Sequence, residues 1–492
     1  MAARSAIKNL ISNLCFEHHC VQTIKLQEQF RKLHNGVNQC SHYHSSSQLR
    51  AQPRLTPQEV TDILRQNEHT HEFSAGGSVK AYDSNQLPSN DPIEDTHAEA
   101  RCLLTTGMLL GVFDGHGGAA CAQVVAKRLF NYVSVSLLPP DLLYKYLQSM
   151  DNGDSHVQLL ENFNDQYDLV DELKGLYSES FKRFVSDLWD SQRDDFQMRD
   201  ALQKAFLKLD DDLSREALTN VTEKVNLKTL SVSMAGSVAC VAHIDGPHLH
   251  VASVGDCQAV LGVLSDTDTW TAKKISIEHN TDNQVEVNRI LDEHPHHERD
   301  TVIRMERLLG QLAPLRAFGD FRYKWSRQTL QNVVVPKFGE QVLAPNYHTP
   351  PYLTARPDII HHRLTPRDRF LVIASDGLWD LVSPLQVVRL VGEHMSGKVT
   401  LSPLRLPRKD MKLDEINDLL LQRRKGLAKK PVDRNAATHL LRHALGGTEY
   451  GVEHTKISQL LSMSQEVVRL FRDDITIIVV FFDSEYLRHC PL

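Results

Sequence analysis

The order of apolar and polar positions divides the chain into strand-like and helix-like stretches. The short apolar runs at 109–113 and 370–374 are typical of buried strands. Residues 230–263 alternate between apolar stretches and turn residues, which predicts a β-meander. By contrast, apolar positions recur about every 3.6 residues over 119–138, which predicts a helix packed on the core. The pattern therefore predicts a fold that mixes strands and helices.

Aspartates stand where several of these strands begin or end. Asp114 closes the first apolar run, in VFDGHGG, and Asp256 closes the stretch HLHVASVGD within the predicted meander. Asp376 follows the run FLVIA, and Asp473 and Asp474 stand immediately before the run ITIIVVFF. Four such sites predict one shared edge lined with carboxylates, which repel one another unless a cation lies among them. The hard divalent cations Mg²⁺ and Mn²⁺ prefer such oxygen ligands.

Composition and charge narrow the class of protein. The 492 residues are 41% hydrophobic and 24% charged, which is ordinary for a soluble globular protein with a sizeable core. A net charge of −7 argues against nucleic acid or an anionic membrane as the main partner. We predict no transmembrane segment, because no run of about 18 apolar residues occurs. The eight cysteines have no CxxC spacing, so we interpret them as reduced, structural thiols.

The pattern also predicts a domain organisation. Residues 1–50 carry six basic residues against two acidic ones and open with a basic amphipathic stretch, which is typical of an organellar transit peptide; the alternative is a disordered tail without an address. We expect a single domain over 51–484 and a C-terminal tail at 485–492. Two excursions interrupt the domain, at about 139–225 and 397–434. The second is basic, either as a solvated face or as a docking surface for an acidic partner.

Motifs for other chemistries are incomplete. Gly392–Lys398 nearly spells a phosphate-binding loop, but Val399 replaces the Ser or Thr that would hold Mg²⁺, and a helix is predicted before it. No cysteine is followed six residues later by arginine, and the chain has no GxSxG motif. A covalent nucleophile is therefore missing, which favours attack by metal-activated water.

The strand-end aspartates belong to a longer ordered series of motifs. The series, over roughly residues 80–483, resembles the metal-dependent type 2C serine/threonine protein phosphatases. Each motif is weak alone, but eight in this order are specific. They are IED (93–95), VFDGHGG (112–118), AGSVA (235–239), VASVGD (251–256), LRAFGDF (315–321), TARPD (354–358), ASDGLWD (374–380) and RDDIT (472–476).

The resemblance implies a fold and a cofactor. The fold is α+β, a four-layer α-β-β-α sandwich in which helices flank two mainly antiparallel sheets, with the metal site in the cleft at one end. Two Mg²⁺ or Mn²⁺ ions, or three, bind there. Cations that share a water lower its pKa toward neutrality, and the resulting hydroxide attacks phosphorus in line.

The resemblance also implies a role for each site residue. His116 is placed to protonate the departing seryl oxygen. Asp114, the other catalytic residue, bridges two metal ions. The predicted ligands are Asp114, the Gly115 carbonyl, Asp376 and Asp473 at the first metal, Glu94 and Asp95 through waters at the second, and Asp256 with Asp376 at a third.

One position departs from the usual family pattern. Many relatives carry an arginine at the position four residues before Glu94, and that arginine binds the substrate phosphate. This chain has Asn90 at that position. An amide gives a weaker contact than a bidentate guanidinium, although Asn90 can still donate a hydrogen bond to phosphate. The sequence leaves open which group compensates.

A narrower resemblance implies the substrate. DSNQLPSNDPIED, PNYHTPPYLTA (345–355) and NAATHLLRHAL (435–445) are similar to the mitochondrial pyruvate dehydrogenase phosphatases, a branch of the family. That branch removes phosphate from phosphoserine on the pyruvate dehydrogenase alpha subunit in the mitochondrial matrix, which reactivates the complex. The implied partners also include a lipoyl domain of the dihydrolipoyl acetyltransferase core and a regulatory subunit. The alternatives are another matrix phosphoprotein as substrate, or an inactive scaffold.

Overall fold

The computed structural model describes most of the chain beyond residue 54. The described residues are 55–74, 76–152, 157–165, 168–191, 196–219, 226–397, 411–427, 431–448 and 450–490. The predicted transit peptide at 1–50 lies outside them, as does part of the predicted excursion at 397–434.

Two antiparallel sheets form the centre of the molecule. Sheet A has six strands in the order His69–Glu72, Val79–Leu87, Ile475–Phe482, Asp368–Ala374, Gln258–Leu264 and Trp270–Lys274. Sheet B follows the order Asp358–Arg363, His248–Val254, Gly236–Asp245, Met108–His116, Thr96–Cys102 and Leu160–Phe163, and the short strand Phe318–Gly319 pairs with Gly236–Asp245.

The strand Asp368–Ala374 shows how the sheets pack. Its residues Leu371 and Ile373 belong to the same core cluster as the apolar residues of sheet B. The alternate residues Phe370 and Val372 point the other way, into a second core cluster. Successive side chains of a strand face opposite sides of the sheet, so this strand is apolar on both faces. An apolar run without alternation therefore marks a strand that is covered on both sides.

Helices cover the outer face of each sheet. Ala120–Ser136 packs on sheet B, where Phe130 lies 6.2 Å from the ring of Phe113. Pro384–Ser396 and Ala436–Gly446 pack on sheet A. The layers thus run helix, sheet, sheet, helix, which confirms the predicted four-layer α-β-β-α sandwich.

The remaining elements are shorter or lie at the periphery. The other helices are Pro57–Arg65, Pro140–Asp151, Asp171–Asp190, Met198–Leu218, Leu227–Met234, Gln284–Glu293, Arg299–Val302, Arg327–Thr329, Val335–Phe338, Asp376–Trp379, Leu413–Leu427, His454–Leu461, Gln465–Val468 and Ser484–His489. Single turns of other helix types occur at His296–Glu298, Phe321–Tyr323, Leu330–Val334 and Glu340–Val342. Two-residue hairpins pair Ile303–Arg304 with Arg307–Leu308 and Gly447–Thr448 with Gly451–Val452.

Local sequence explains the helix ends. Pro57–Arg65 begins with a capping box, in which the Thr56 side chain accepts from the Glu59 N–H and the Glu59 carboxylate accepts from the Thr56 N–H.

Among the helices in the described ranges, none has the length and apolar character that a membrane span requires.

Two boundaries differ from the sequence predictions. The predicted meander 230–263 is wrong at its start, because Leu227–Met234 is a helix whose cap Asn226 accepts from the Lys228 N–H; the strands begin at Gly236. It is also wrong at its end, because Gln258–Leu264 pairs in sheet A and not with the strand His248–Val254 of sheet B. The predicted tail at 485–492 is partly ordered, since Ser484–His489 is a helix that buries Leu487.

Candidate active site

The strand ends that carry aspartates meet at one end of the two sheets. Asp114 lies in the strand Met108–His116 of sheet B, and Asp256 follows the strand His248–Val254 of the same sheet. Asp376 opens the short helix Asp376–Trp379, which follows a strand of sheet A. Asp473 lies two residues before the start of the strand Ile475–Phe482, also in sheet A. The predicted shared edge is therefore a cleft to which both sheets contribute.

The charges of these residues act on one another. Burial and the neighbouring carboxylates of Asp95, Asp376, Asp473 and Asp256 raise the pKa of Asp114 well above its usual value. Burial, followed by Asp256 and Asp473, raises the pKa of Asp376 in the same way. Burial raises the pKa of Asp256 to about 6. We call Asp95, Asp114, Asp256, Asp376 and Asp473 the carboxylate cluster.

The cluster is open to solvent on one side. Asp95 is buried, whereas Asp114, Asp256 and Asp376 are partly exposed. Asp473 is exposed at the rim, although the protein around it still raises its pKa through desolvation. This opening gives ions and substrate a route to the carboxylates.

Asp474 organises the loop that carries Glu94 and Asp95. Its Oδ1 accepts from the N–H groups of Ser89 at 2.5 Å and Asn90 at 2.8 Å. Its Oδ2 accepts from the Glu94 N–H at 2.8 Å. The loop between two strands is thereby tied to the start of a strand 384 residues further along the chain.

Asn90 takes part in the same network. Its side-chain Nδ2 donates to Asp474 Oδ2 at 2.8 Å, and the residue is 8% exposed. One of the two N–H groups of this amide is thus already used within the protein. This geometry makes Asn90 an anchor of the loop and leaves its amide at most one N–H group for phosphate.

Close backbone packing holds Glu94 beside Gly115. A Cβ added to Gly115 would collide with the Glu94 carbonyl oxygen, so only glycine allows the loop to lie this close to the strand. The Glu94 carboxylate accepts from the Gly118 N–H at 2.7 Å, and burial raises the pKa of Glu94. Glu94 therefore faces the glycine turn that follows Asp114.

His116 forms a pair with Asp320. Its Nε2 lies 2.5 Å from Asp320 Oδ2, and Asp320 is buried. Burial opposes the charged imidazole, but the charge and hydrogen bond of Asp320 outweigh it and raise the pKa of His116. His116 lies opposite Gly236 in the neighbouring strand, and a Cβ at Gly236 would collide with both members of the pair.

The residues present fit hard divalent cations by their chemistry. The cluster offers carboxylate oxygens, and Asp95 Oδ2 is buried without a hydrogen-bond partner among the described residues. Within the same described ranges, no three His, Cys, Asp or Glu side chains are already spaced to hold one ion. The match to divalent cations therefore rests on the carboxylate oxygens and on the negative charge that they bring together. Asp114, Asp376 and Asp473, with Glu94, Asp95, Asp256 and the Gly115 carbonyl, would hold the ions.

Sequence reasoning missed two residues of this site. Asp320 lies in the motif LRAFGDF, where a Gly-Asp pair precedes an aromatic residue, and Asp474 follows Asp473 directly. Both signals are visible in the sequence. Their partners lie 204 and 384 residues away, which only the folded chain reveals.

The chain is similar to known proteins along most of its length. A model of the family described as protein phosphatase 2C matches residues 148–413. Pyruvate dehydrogenase (acetyl-transferring) phosphatase 1, mitochondrial, of Pongo abelii is 42% identical over 465 residues, covering 90% of this chain and 86% of that protein. The human phosphatase 2 of the same name is 39% identical over 447 residues, covering 88% and 84%.

A solved structure is also similar. The serine-threonine phosphatase 2C from Toxoplasma gondii is 17% identical, with a TM-score of 0.40, over 84% of this chain and 99% of that one. The family model covers more than half of the chain, and both mitochondrial relatives align along nearly all of it. The chain belongs to the protein phosphatase 2C family.

Proposed function

We propose that the chain removes phosphate from phosphoserine on the pyruvate dehydrogenase alpha subunit and so reactivates that complex. The observation that carries the proposal is the carboxylate cluster beside the His116–Asp320 pair, in a chain 42% identical to a pyruvate dehydrogenase phosphatase. The family fixes the chemistry as phosphoester hydrolysis. The names of the relatives supply the substrate.

The carboxylate cluster is the proposed holder of the metal ions. Asp114, whose charge interacts with those of Asp95, Asp376 and Asp473, would hold the ions together with Asp376 and Asp473, and Glu94 and Asp95 would contribute through water. Bound Mg²⁺ or Mn²⁺ supplies an activated water and positive charge for the phosphoryl oxygens. Asp474 fixes the loop that carries Glu94 and Asp95, and the Gly115 backbone packs against it.

His116 is the proposed general acid for the departing seryl oxygen. A general acid must keep its proton until the leaving group needs it. Asp320 favours the charged imidazole and fixes the ring through Nε2, which leaves Nδ1 for the leaving group. Asp320 does not touch the reacting atoms, so it acts as a positioning residue.

The proposal includes place and partners. We propose that residues 51–484 form one phosphatase domain and that residues 1–50 direct it to the mitochondrial matrix. A lipoyl domain of the dihydrolipoyl acetyltransferase core and a regulatory subunit are the proposed partners, alongside the phosphorylated alpha subunit. The mitochondrial relatives support the organelle and the substrate.

A comparison of substrates tests the proposal. Purified protein with Mg²⁺ or Mn²⁺ is given phosphorylated pyruvate dehydrogenase and, separately, unrelated phosphoserine proteins at equal concentration. We expect kcat/KM to be highest for pyruvate dehydrogenase, and Asp114→Asn to abolish turnover of every substrate. Equal kcat/KM values would instead indicate a phosphatase for another phosphoprotein, and the absence of any turnover would indicate a scaffold.

A further inference from the structure

The substrate phosphate brings nearly two negative charges to a site lined with carboxylates. Metal ions offset part of that charge. Phosphate is also commonly bound by arginine, whose planar guanidinium donates two parallel hydrogen bonds to it. Asn90 stands where many relatives have that arginine, and its amide is bonded to Asp474. The cation that replaces it must come from another segment.

Most cations near the cleft are already used by the fold. Arg472 donates to Ser89 Oγ at 2.6 Å and to the Pro88 carbonyl at 2.7 Å. Lys324 and Arg316 are each held by a buried acid: Lys324 donates to Asp210 at 2.8 Å, and Arg316 donates to Glu286 at 2.7 Å. None of these three can turn toward a substrate without leaving a buried acid or carbonyl unpaired.

Arg469 differs from them in both exposure and bonding. It follows the short helix Gln465–Val468 and lies four residues before Asp473. Its side chain is 46% exposed, and its Nη2 lies 3.9 Å from Glu94 Oε2, at the limit of an ion pair. Across the ranges that the structure describes, no hydrogen bond holds its guanidinium.

The charge of Arg469 nevertheless acts on the site. It lowers the pKa of Glu94 and that of Asp473, in each case against the larger effect of burial. These two acids belong to the two halves of the proposed metal site, so the guanidinium, 3.9 Å from Glu94, is close enough to act on both halves. A loosely held cation at this place is available to an incoming dianion.

We propose that Arg469 binds the substrate phosphate and supplies the guanidinium that position 90 lacks. The inference rests on the proposed function, because it assigns a residue to that reaction. The five N–H donors of a guanidinium can keep Glu94 on one edge and bind phosphoryl oxygens on the other. A phosphatase of this family can then work with asparagine at position 90, because its phosphate-binding arginine comes from the segment before Asp473.

Steady-state kinetics of Arg469→Ala and Arg469→Lys test the assignment. We use a phosphoserine peptide and p-nitrophenyl phosphate at saturating Mg²⁺. Loss of a charge-assisted contact predicts a rise in KM of about tenfold or more for Arg469→Ala. The inhibition constant for inorganic phosphate should rise by a similar factor. In Arg469→Lys, the KM and the inhibition constant should lie between those of the wild type and of Arg469→Ala. Lysine keeps the positive charge but lacks the two parallel N–H donors of the guanidinium.

Arg367→Ala is the matched control. Arg367 is also an exposed arginine paired with one acid, Asp266, but it lies at the far end of the strand that leads to Asp376. We expect its KM and its inhibition by phosphate to equal those of the wild type. Equal melting temperatures of all variants will show that they are folded.

Other outcomes would overturn the assignment. If Arg469 only positions Glu94, Arg469→Ala will raise the Mg²⁺ concentration needed for half-activation and leave both KM and phosphate inhibition unchanged at saturating Mg²⁺. An active wild type with unaltered constants in Arg469→Ala therefore removes this inference alone. A wild type that turns over neither substrate removes the proposed function itself.

Discussion

Acidic side chains occur in two kinds of surroundings in this molecule. Away from the cleft, two buried acids are each held by an arginine: Glu216 receives two hydrogen bonds from Arg128, at 2.7 and 2.8 Å, and Asp433 two from Arg442, at 2.7 Å each. In the carboxylate cluster, acids face one another instead, and burial together with their mutual repulsion raises the pKa of Asp114 and of Asp376.

The difference separates structural acids from functional ones. A carboxylate paired with arginine is neutralised within the protein and contributes to one fixed arrangement. A group of carboxylates without enough cations stores repulsion that a bound ion relieves, so its charge serves binding. The two groups should therefore respond in opposite directions when a charge is removed.

The largest expected effect is that of Asp114→Asn. We expect kcat/KM to fall by more than about a thousandfold, as for loss of a central catalytic group. Because the change also removes one of several repelling charges, the free energy of unfolding in chelator should not fall. Activity assays check the loss of kcat/KM, and thermal unfolding of the same preparation in chelator checks the stability. A variant that is inactive because it is unfolded would contradict the comparison.

Removal of a cation from a paired acid should act on stability. Arg128→Met leaves Glu216 buried without its partner, and we expect a loss of about 3–5 kcal/mol in the free energy of unfolding. Denaturant unfolding measures it. The double variant Arg128→Met/Glu216→Leu should recover most of the loss, because no uncompensated charge remains. A double variant as unstable as the single one would show that packing, not charge, dominates there.

Metal binding should stabilise the cluster side of the comparison. At a Mg²⁺ concentration of about 100 times the dissociation constant, linkage predicts a gain of about 2.7 kcal/mol in the free energy of unfolding. Thermal unfolding with Mg²⁺ and then with excess chelator measures the gain and its reversal. In Asp376→Asn the gain should be much smaller. An equal gain in that variant would place the ion elsewhere.

The comparison also explains how far the sequence could lead. Asp114, Asp256, Asp376 and Asp473 were predictable because each stands near a glycine or an apolar run at a strand end, whereas Asp95 was assigned only through the family resemblance. The four-layer fold was predictable from the family resemblance. The partners of those acids were not: Asp474 binds Asn90, and Asp320 binds His116, through contacts between distant segments. The family resemblance assigned Asn90 to the substrate phosphate by its position in the motif alone, which does not reveal the contact with Asp474.

A smaller effect on activity is expected at the His116–Asp320 pair. Asp320→Asn keeps the size of the side chain but removes the charge that favours the protonated imidazole, and we expect kcat for a phosphoserine peptide to fall about tenfold, at the lower end of general-acid effects or below it. For p-nitrophenyl phosphate, whose leaving group needs no proton, kcat should change much less. Equal losses for both substrates would assign Asp320 to the structure of the site instead.

The smallest effect concerns acid stability on the paired side, where His439 lies in the helix that carries Arg442. Burial lowers the pKa of His439 to about 2, and the charges of His443, His394 and Arg442 add to this. As the pH falls below about 6.5, His439 therefore binds a proton in the unfolded chain but stays uncharged in the folded protein. Stability from this group is complete above that pH and is lost as pH falls below it.

Replacement of this histidine isolates its contribution from that of the carboxylates. Between pH 7 and pH 5.5 the wild type should lose about 1 kcal/mol more than His439→Leu in the free energy of unfolding. Denaturant unfolding in chelator at both pH values measures the difference, and chelator keeps metal binding out of it. If both proteins lose the same amount, the acid sensitivity between these pH values comes from other buried histidines, such as His443, whose pKa burial lowers to about 4. His439 would then not set the acid limit of this half of the molecule.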